Sequence, residues 1–303
     1  MQQRPFKQID VFTATPYFGN PLAVVLDGSG LDDTAMQRFA RWTNLSETTF
    51  VLPPTQSSAD YRLRIFTPGG ELPFAGHPTL GSCHAWLEAG GQPKSQEFIV
   101  QECAKGLINI RRDTGRTRLA FAAPSLLRSA PTAVLLAQVA SALGINAAQV
   151  AAAQQLDNGP VWLGLLLDSP DTVLQLLPNH QELAKLGVKV GVAGIYTPPS
   201  SPLIARANRE AKAFTQTTPD PAPDLEVRAF AACMGVDEDP VTGSLNASLA
   251  QWLMADGLMP QRYTASQGVC MGRAGLVDLQ RDSHAQVWVG GQSVTCITGV
   301  VAL

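Results

Sequence analysis

Short runs of apolar and β-branched residues, interrupted by glycine and proline, dominate the first part of the chain. They comprise "IDVFTA", "LAVVLDG", "TTFVLPP", "YRLRIFTP", "EFIVQECAKGLINIRR" and "TRLAFAAP". Such runs are typical of short strands in a mostly antiparallel or mixed sheet. One helix is predicted from Asp32 through "TAMQRFARWTN", where apolar residues recur at near-helical spacing, and a second helix is predicted after His77.

A proline- and serine-bearing segment, "AAPSLLRSAPT" from Ala122 to Thr132, is the best candidate for a boundary between two domains. The chain has 303 residues, more than one domain usually contains. We therefore predict an N-terminal domain at residues 1–122 and a C-terminal domain at residues 123–303. The last strand can pack back on the first domain in this scheme.

The second half continues with a helix over "AVLLAQVASALG", then a strand followed by one helix over "VWLGLLLDSPDTVLQLLPNHQELAKLG". Residues 197–224 are rich in proline and predict a long loop. Loops of this length often act as lids or oligomer contacts, although a tolerated insertion without a role is an equal alternative.

A weak internal repeat relates the two halves. "RIFTPGGELPFAGHPTLGSCHAWL" (Arg64 to Leu87) and "RAFAACMGVDEDPVTGSLNASLAQWL" (Arg228 to Leu253) share Arg-x-Phe, a turn, an acid, a proline and a glycine that opens a helix. Gly76-His77 matches Gly243-Ser244, and both helices end in Trp-Leu with a slip of one residue. The repeat predicts two related domains that meet pseudo-symmetrically.

Each repeat predicts a helix start suited to holding an anion. His77 precedes Pro78, which favours an extended N-cap at His77 and a proline at the first helical position. Ser244 is a favourable N-cap residue, and the glycines allow close approach to the backbone. A helix N-terminus presents unpaired N–H groups and the positive end of the dipole, so two facing ends would hold a carboxylate or a developing enolate.

Acidic residues accompany the two helix starts. Glu47 lies between the Asp32 helix and the strand "TTFV", where burial would raise its pKa and suit it to general acid/base catalysis. A salt-bridged or exposed Glu47 is the alternative. Asp239 precedes Pro240, which favours an extended backbone five residues before Ser244, and the neighbouring Glu238 is either the charge partner of Asp239 or solvated.

The composition of the chain argues against nucleic acid and membranes as binding partners. Apolar residues make up 45% of the chain and charged residues 16%, typical of a globular protein, and the net charge of -3 gives no footprint for nucleic acid. No apolar run reaches the roughly 18 residues that span a bilayer, so we expect no membrane partner. The absence of a signal-peptide pattern and five cysteines without a C-x-x-C pair indicate reduced thiols in a cytoplasmic protein.

Cofactor motifs are absent. The glycines of "GVKVGVAG" (Gly187 to Gly194) are spaced G-x-x-x-G-x-x-G, which favours a strand with its turn over a dinucleotide site. The chain has neither a Walker A sequence nor H-E-x-x-H. We therefore expect no cofactor and no metal.

The segments "GNPLAVVLDG", "LSETTFV", "GHPTLG", "EDPVTGS" and "QGVCMGR" give the chain a resemblance to the phenazine-biosynthesis PhzF-like isomerase family. This resemblance implies an α+β fold of diaminopimelate epimerase-like type. Two pseudo-symmetric domains, each a sheet curled around a central helix, would enclose the site in the cleft between them. It also implies a homodimer and a cofactor-independent isomerase, in EC class 5, that moves a proton on a small carboxylate-bearing substrate.

The resemblance also implies roles for individual residues. Glu47, His77 and Asp239 match the family's catalytic positions, with Glu47 as the general acid/base, while Gly76, Gly243 and Ser244 match the groups around the substrate carboxylate. In the related epimerases a cysteine follows each glycine. Here His77 and Ser244 occupy those positions, which disfavours a two-thiol racemase. Leu245-Asn246 departs from the family pattern, in which a small residue and often histidine follow the serine, so the substrate stays open.

Three functional hypotheses follow. In the first, Glu47 removes a C–H proton, the helix ends stabilise the anion, and the proton returns to another carbon with help from Asp239 or His77. The second is a one-base epimerase or racemase of an amino or hydroxy acid. The third is a carboxylate-binding protein without catalysis.

Overall fold

The computed structural model describes residues 1–113, 118–196 and 222–303. Eight strands and two helices make up the first half of the chain. They are β1 (Gln3–Val11), β2 (Asn20–Val25), α1 (Asp33–Thr43), β3 (Glu47–Leu52), β4 (Tyr61–Phe66), β5 (Glu71–Leu72), α2 (Gly76–Glu88), β6 (Phe98–Cys103), β7 (Gly106–Asp113) and β8 (Arg118–Ala122).

The second half adds ten strands and four α-helices within the described residues. They are β9 (Leu127–Ser129), α3 (Ala133–Leu143), β10 (Val150–Asp157), β11 (Val161–Leu167), α4 (Pro170–Gln175), α5 (His180–Leu186), β12 (Lys189–Ile195), β13 (Leu225–Ala231), β14 (Val236–Asp239), α6 (Gly243–Ala255), β15 (Arg262–Gln267), β16 (Gly275–Arg281), β17 (Val287–Gly291) and β18 (Ser293–Ala302). Most of the predicted loop at 197–224, up to residue 221, lies outside the described residues.

The two halves repeat the same strand pairing. β1 to β4 pair in the order antiparallel, parallel, antiparallel, and β10 to β13 pair in that same order. β4 then pairs parallel with β6 as β13 pairs parallel with β15, and each half finishes with two antiparallel strands. The repeat detected in the sequence therefore extends to the topology, and the α+β fold prediction is confirmed.

Strand pairs also join the halves. β8 pairs with β17, and the last strand, β18, pairs with β1 along its whole length. Each half thus supplies a strand to the sheet of the other. The predicted boundary at residues 122/123 falls between β8 and β9 and stays a prediction.

A central helix lies within the strands of each half. α2 contacts β1, β2, β3, β4, β8 and β18, while α6 contacts β10, β11, β16 and β17. Small residues make the close packing around α2 possible: a side chain at Gly81 would place its Cβ 2.7 Å from Leu22. Trp252 is fully buried, and Trp86 packs against Tyr61 with the two rings tilted by 31°, so both tryptophans anchor their helices to the core.

Two local predictions need comment. The Asp32 helix is confirmed, since the Asp32 carboxylate caps it by accepting from the backbone N–H of Ala35. The single helix predicted after β11 is wrong, because α4 ends near Leu176 and α5 begins only at His180, with Asn179 as its N-cap. Pro178 lies in the break, where it cannot continue a helix.

Candidate active site

α2 begins earlier than the "GHP" pattern predicts. Its first residue is Gly76, its N-cap is Ala75, and His77 is already the second helical residue. The prediction that His77 is an extended N-cap is therefore wrong. Pro78 lies in the first turn, whose N–H groups have no acceptor within the helix, so the helix can start before the proline without losing a hydrogen bond.

α6 begins in the same way. Gly243 is its first residue, Thr242 is the N-cap without a side-chain capping bond, and Ser244 is the second helical residue. The prediction of Ser244 as N-cap is likewise wrong. The predicted equivalence of Gly76-His77 and Gly243-Ser244 holds, because both pairs open a helix of 13 residues.

The two helix starts are in direct contact. A Cβ atom on Gly243 would lie 3.2 Å from the Cα atom of Gly76 and 3.3 Å from the backbone nitrogen of His77. A Cβ atom on Gly76 would lie 2.6 Å from the ring of Phe121. Glycine at both positions lets the positive ends of the two helix dipoles meet, which concentrates unpaired N–H groups in one place.

Glu47, the first residue of β3, faces the start of α2. Its Oε2 atom lies 3.4 Å from His77 Nε2, and the two side chains are 15% and 5% exposed. Neither atom has a hydrogen-bond partner, although both are buried. The alternative of a salt-bridged or exposed Glu47 is not what the structure shows, because the neighbouring His77 is neutral at pH 7 and the Glu47 side chain is 15% exposed.

Burial is the main cause of the shifted pKa values of Glu47 and His77. It raises the pKa of Glu47 to about 8, with a further contribution from the negative charge of Asp239. It lowers the pKa of His77 to about 3, against the opposing effect of a hydrogen bond to the Pro21 backbone. Both residues are therefore neutral in most molecules at pH 7.

The hydrogen bond to Pro21 fixes the tautomer of His77. Because Nε2 has no partner, we assign the ring hydrogen to Nδ1, with the Pro21 carbonyl as its acceptor. Nε2 then carries the lone pair and faces Glu47. A protonated Glu47 would satisfy that lone pair, which agrees with the raised pKa of this carboxyl group.

Asp239, at the end of β14, approaches from the other half. Asn20 Nδ2 donates to its Oδ1 atom over 3.1 Å, and the Thr242 hydroxyl donates to Oδ2 over 2.5 Å. Burial raises the pKa of Asp239 to about 6, while these two hydrogen bonds act in the opposite direction. Asp239 is thus mostly ionised at pH 7, beside a Glu47 that is mostly protonated.

Gln267 holds the start of α6 in place. Its side-chain oxygen accepts from the backbone N–H of Thr242 and from Asn246, and its nitrogen donates to the Asp239 carbonyl and to the Thr242 hydroxyl. Both polar atoms of the Gln267 side chain therefore bond to residues 239–246, around the start of α6. This residue is fully buried.

Ser244 has its own set of contacts. Its hydroxyl oxygen accepts from Trp162 Nε1 over 3.1 Å, and its carbonyl accepts from Asn158 Nδ2 over 3.0 Å. The Ser244 hydroxyl keeps its hydrogen, which it can donate to a ligand.

The two halves carry different chemistry at equivalent positions. β3 begins with Glu47, whereas β12 begins with Lys189, whose Nζ atom lies 5.1 Å from the centre of the Trp162 ring. The repeat aligns Asp239 with Leu72. The structure thus brings together one carboxyl group from each half, and neither has a carboxyl counterpart.

Both halves of the repeat contain the same Arg–Glu ion pair, which in the second half lies one residue before Asp239. Glu238 forms a two-point ion pair with Arg228, as Glu71 does with Arg64. Neither alternative for Glu238, the charge partner of Asp239 or a solvated residue, is what the structure shows, because Glu238 pairs with Arg228 and its side chain is 11% exposed.

The predicted site residues thus converge, whereas Asn20, Thr242 and Gln267 were missed as site residues. The segments "GNPLAVVLDG" and "QGVCMGR" carry two of them and mark them only through the family resemblance. Among the residues that the structure describes, no group of three His, Cys, Asp or Glu side chains could hold a metal ion. Within the same residues, no helix is long and apolar enough to cross a membrane.

Comparison with known proteins gives consistent matches over the chain. The model of the family described as "Phenazine biosynthesis-like protein" matches residues 9–299. "Antisense-enhancing sequence 1" of Schizosaccharomyces pombe is 37% identical over 99% of both chains. A trans-2,3-dihydro-3-hydroxyanthranilate isomerase of Pseudomonas fluorescens is 32% identical over 97% of this chain and 98% of its own. The crystal structure of a PhzF-family protein from Bacillus anthracis, 21% identical, superposes with a TM-score of 0.79 and covers 100% of each chain.

Proposed function

This chain belongs to the phenazine biosynthesis-like protein family and is an isomerase, and we propose that it moves a proton on a small carboxylate-bearing substrate without a cofactor. The observation that carries the proposal is the buried Glu47 carboxyl group, 3.4 Å from His77 and close to the ionised Asp239, where two helix N-termini meet. A carboxyl group with a pKa near neutrality both accepts and returns a proton efficiently.

Glu47 acts as the base in its ionised form. It takes a proton from a carbon next to a carboxylate or conjugated system and becomes the neutral acid that its buried position favours. It then gives the proton to a second carbon of the same substrate. His77, held by the Pro21 carbonyl, presents the Nε2 lone pair to Glu47 and keeps the carboxyl group oriented.

The helix starts bind and stabilise the anion. The first N–H groups of α2 and α6 have no acceptors within their helices, and the dipoles of both helices add positive potential there. A substrate carboxylate bound by Gly76, Gly243 and Ser244 would place the developing enolate charge in the same field.

A single base fits the asymmetry between the halves. Lys189 occupies the position equivalent to Glu47, and Ser244, whose hydroxyl is bonded to Trp162, occupies that of His77. Racemisation by two bases on opposite faces needs a matching acid on the second half. The described residues of the second half offer neither a thiol nor a carboxyl group at that position.

The first substrate to assay is trans-2,3-dihydro-3-hydroxyanthranilate, because a relative covering 97% of this chain is an isomerase of that compound. Product analysis by NMR in D2O separates the candidate reactions. Movement of a double bond with solvent deuterium at the new C–H supports isomerisation, whereas inversion at one carbon supports an epimerase. No turnover of this or any panel carboxylate would favour a binding protein.

Glu47→Gln tests the assignment directly, since it keeps the shape of the side chain but cannot accept the proton. We expect kcat to fall about 10²- to 10⁴-fold, the usual contribution of general acid/base catalysis. Glu97→Gln, on an exposed loop residue, is the matched control and should retain full activity. Unchanged turnover by Glu47→Gln would contradict the proposal.

A further inference from the structure

Asn20 connects the first half of the chain to Asp239, the carboxylate that the second half contributes to the site. It is the first residue of β2 and is fully buried. Its Nδ2 atom donates to Asp239 Oδ1 over 3.1 Å and to the Val241 carbonyl over 2.9 Å. Asn20 therefore bridges a separation of more than 200 residues to reach both sides of Pro240.

We propose that Asn20 is a positioning residue whose amide keeps the Asp239 carboxylate ionised and correctly oriented beside Glu47. The inference rests on the proposed function, in which an ionised Asp239 keeps Glu47 basic enough to exchange a proton near neutral pH.

The orientation of the Asn20 amide is determined by its partners. Both atoms that face its side-chain nitrogen, a carboxylate oxygen of Asp239 and the carbonyl oxygen of Val241, can only accept when Asp239 is ionised. A flipped amide would direct Oδ1 at two acceptors and lose both bonds. The amide thus donates to Asp239, and this donation favours the ionised carboxylate.

The groups facing Asp239 explain why it needs such donors. Glu47 on β3 and Glu238 on its own strand are the titratable groups that interact with it electrostatically. Glu238 is neutralised by its ion pair with Arg228, and all three side-chain nitrogens of Arg228 are engaged there or on two backbone carbonyls. No described cation pairs with Asp239. Its ionisation therefore depends on Asn20 and Thr242, the two donors to its carboxylate.

Asn20 is itself held rigidly. The carboxylate of Asp10, a buried residue of β1, accepts from the backbone N–H of Gly19, and Asn20 pairs with Val11 in the β1–β2 ladder. The next residue, Pro21, accepts from the His77 ring. One dipeptide, Asn20-Pro21, thus orients groups on both sides of the site.

The test measures the ionisation of Asp239 without turnover. In protein labelled with 13C at aspartate carboxyl groups, the Asp239 signal, assigned with Asp239→Asn, is titrated in wild type and in Asn20→Leu. We expect the pKa of Asp239 to rise by about 1 to 2 pH units when the donor is lost, since hydrogen bonds to charged groups are among the strongest. Thr242→Val, which removes the other donor, should shift the pKa in the same direction.

A control variant at a distant contact and a smaller substitution at Asn20 accompany this titration. Arg111→Ala removes another contact between the halves, the ion pair with Asp282, and should leave the Asp239 titration unchanged. If Asn20→Leu fails to fold, the smaller Asn20→Ala replaces it. An Asp239 signal that titrates as in wild type in the folded Asn20 variant would overturn the proposal. Because the titration needs no substrate, it stands or falls separately from the proposed isomerase reaction, which Glu47→Gln tests.

Discussion

His77 Nε2 lies 3.4 Å from Glu47 Oε2, and neither atom has a hydrogen-bond partner. Because the Pro21 carbonyl holds the ring hydrogen on Nδ1, only a protonated Glu47 makes this contact favourable. The resting site thus stores a proton on the residue that must later act as a base. Several measurable consequences come from this arrangement.

The first concerns the pH dependence of catalysis. Since Glu47 must be ionised to remove a C–H proton and its pKa is about 8, kcat/KM should rise about tenfold per pH unit below pH 8 and level off above it. Initial rates between pH 5.5 and 9.5 would check this. A profile already flat at pH 6 would show that Glu47 does not start the reaction as a base.

A second prediction concerns the coupling between the two carboxyl groups. The negative charge of Asp239 contributes to the raised pKa of Glu47, so Asp239→Asn should move the inflection of kcat/KM to lower pH. The size of kcat should also fall. Asp237→Asn, on an exposed residue two positions earlier, serves as the control and should leave the inflection in place.

The free energy of unfolding should also depend on pH because the pKa of Glu47 is raised in the folded protein. The unfolded chain releases the Glu47 proton near pH 4.5, whereas the folded protein holds it to about pH 8, so this residue destabilises the fold progressively as pH rises between those values. Glu47→Gln abolishes that loss. Its free energy of unfolding relative to wild type should be higher at pH 9 than at pH 5.5 by on the order of 3 kcal/mol.

Urea denaturation at the two pH values measures this difference. The opposite shift of His77, whose folded-state pKa is about 3, affects wild type and variant alike and cancels in the comparison. If the free energies of unfolding of Glu47→Gln and wild type changed by the same amount between the two pH values, the raised pKa of Glu47 would be contradicted.

The contact between the helix starts gives a fourth prediction. Gly76→Ala should destabilise more than Gly243→Ala, because its Cβ would lie 2.6 Å from the Phe121 ring, while that of Gly243 would lie 3.2 Å from the Gly76 backbone. We expect a loss of about 1 to 3 kcal/mol for Gly76→Ala, measured by urea denaturation. Gly243→Ala should mainly raise KM, since it moves the α6 N-terminus.

Gly70→Ala is the matched control for this series, because a Cβ at Gly70 has no atom within 4 Å. Equal destabilisation by all three substitutions would mean that chain flexibility, rather than the contact between helices, decides the outcome.

Much of the fold and part of the site could be predicted from the sequence alone. Strand runs, the Asp32 cap and the pairing of Gly76-His77 with Gly243-Ser244 are encoded in local periodicity and spacing, which act over a few residues. The apolar run after Glu47 indicated burial of this carboxyl group but left a salt-bridged or exposed side chain as an alternative.

Only the tertiary structure decided the rest. The two-residue shift of each helix start depended on where Gly76 and Gly243 pack, which local propensity does not contain. The pairing of β8 with β17 and the hydrogen bond from Asn20 to Asp239 join residues distant in sequence, and no local pattern predicts such pairs. The sequence determined which side chains were available for chemistry, and long-range packing determined which of them meet, because burial and hydrogen bonding depend on neighbours that only the folded chain supplies.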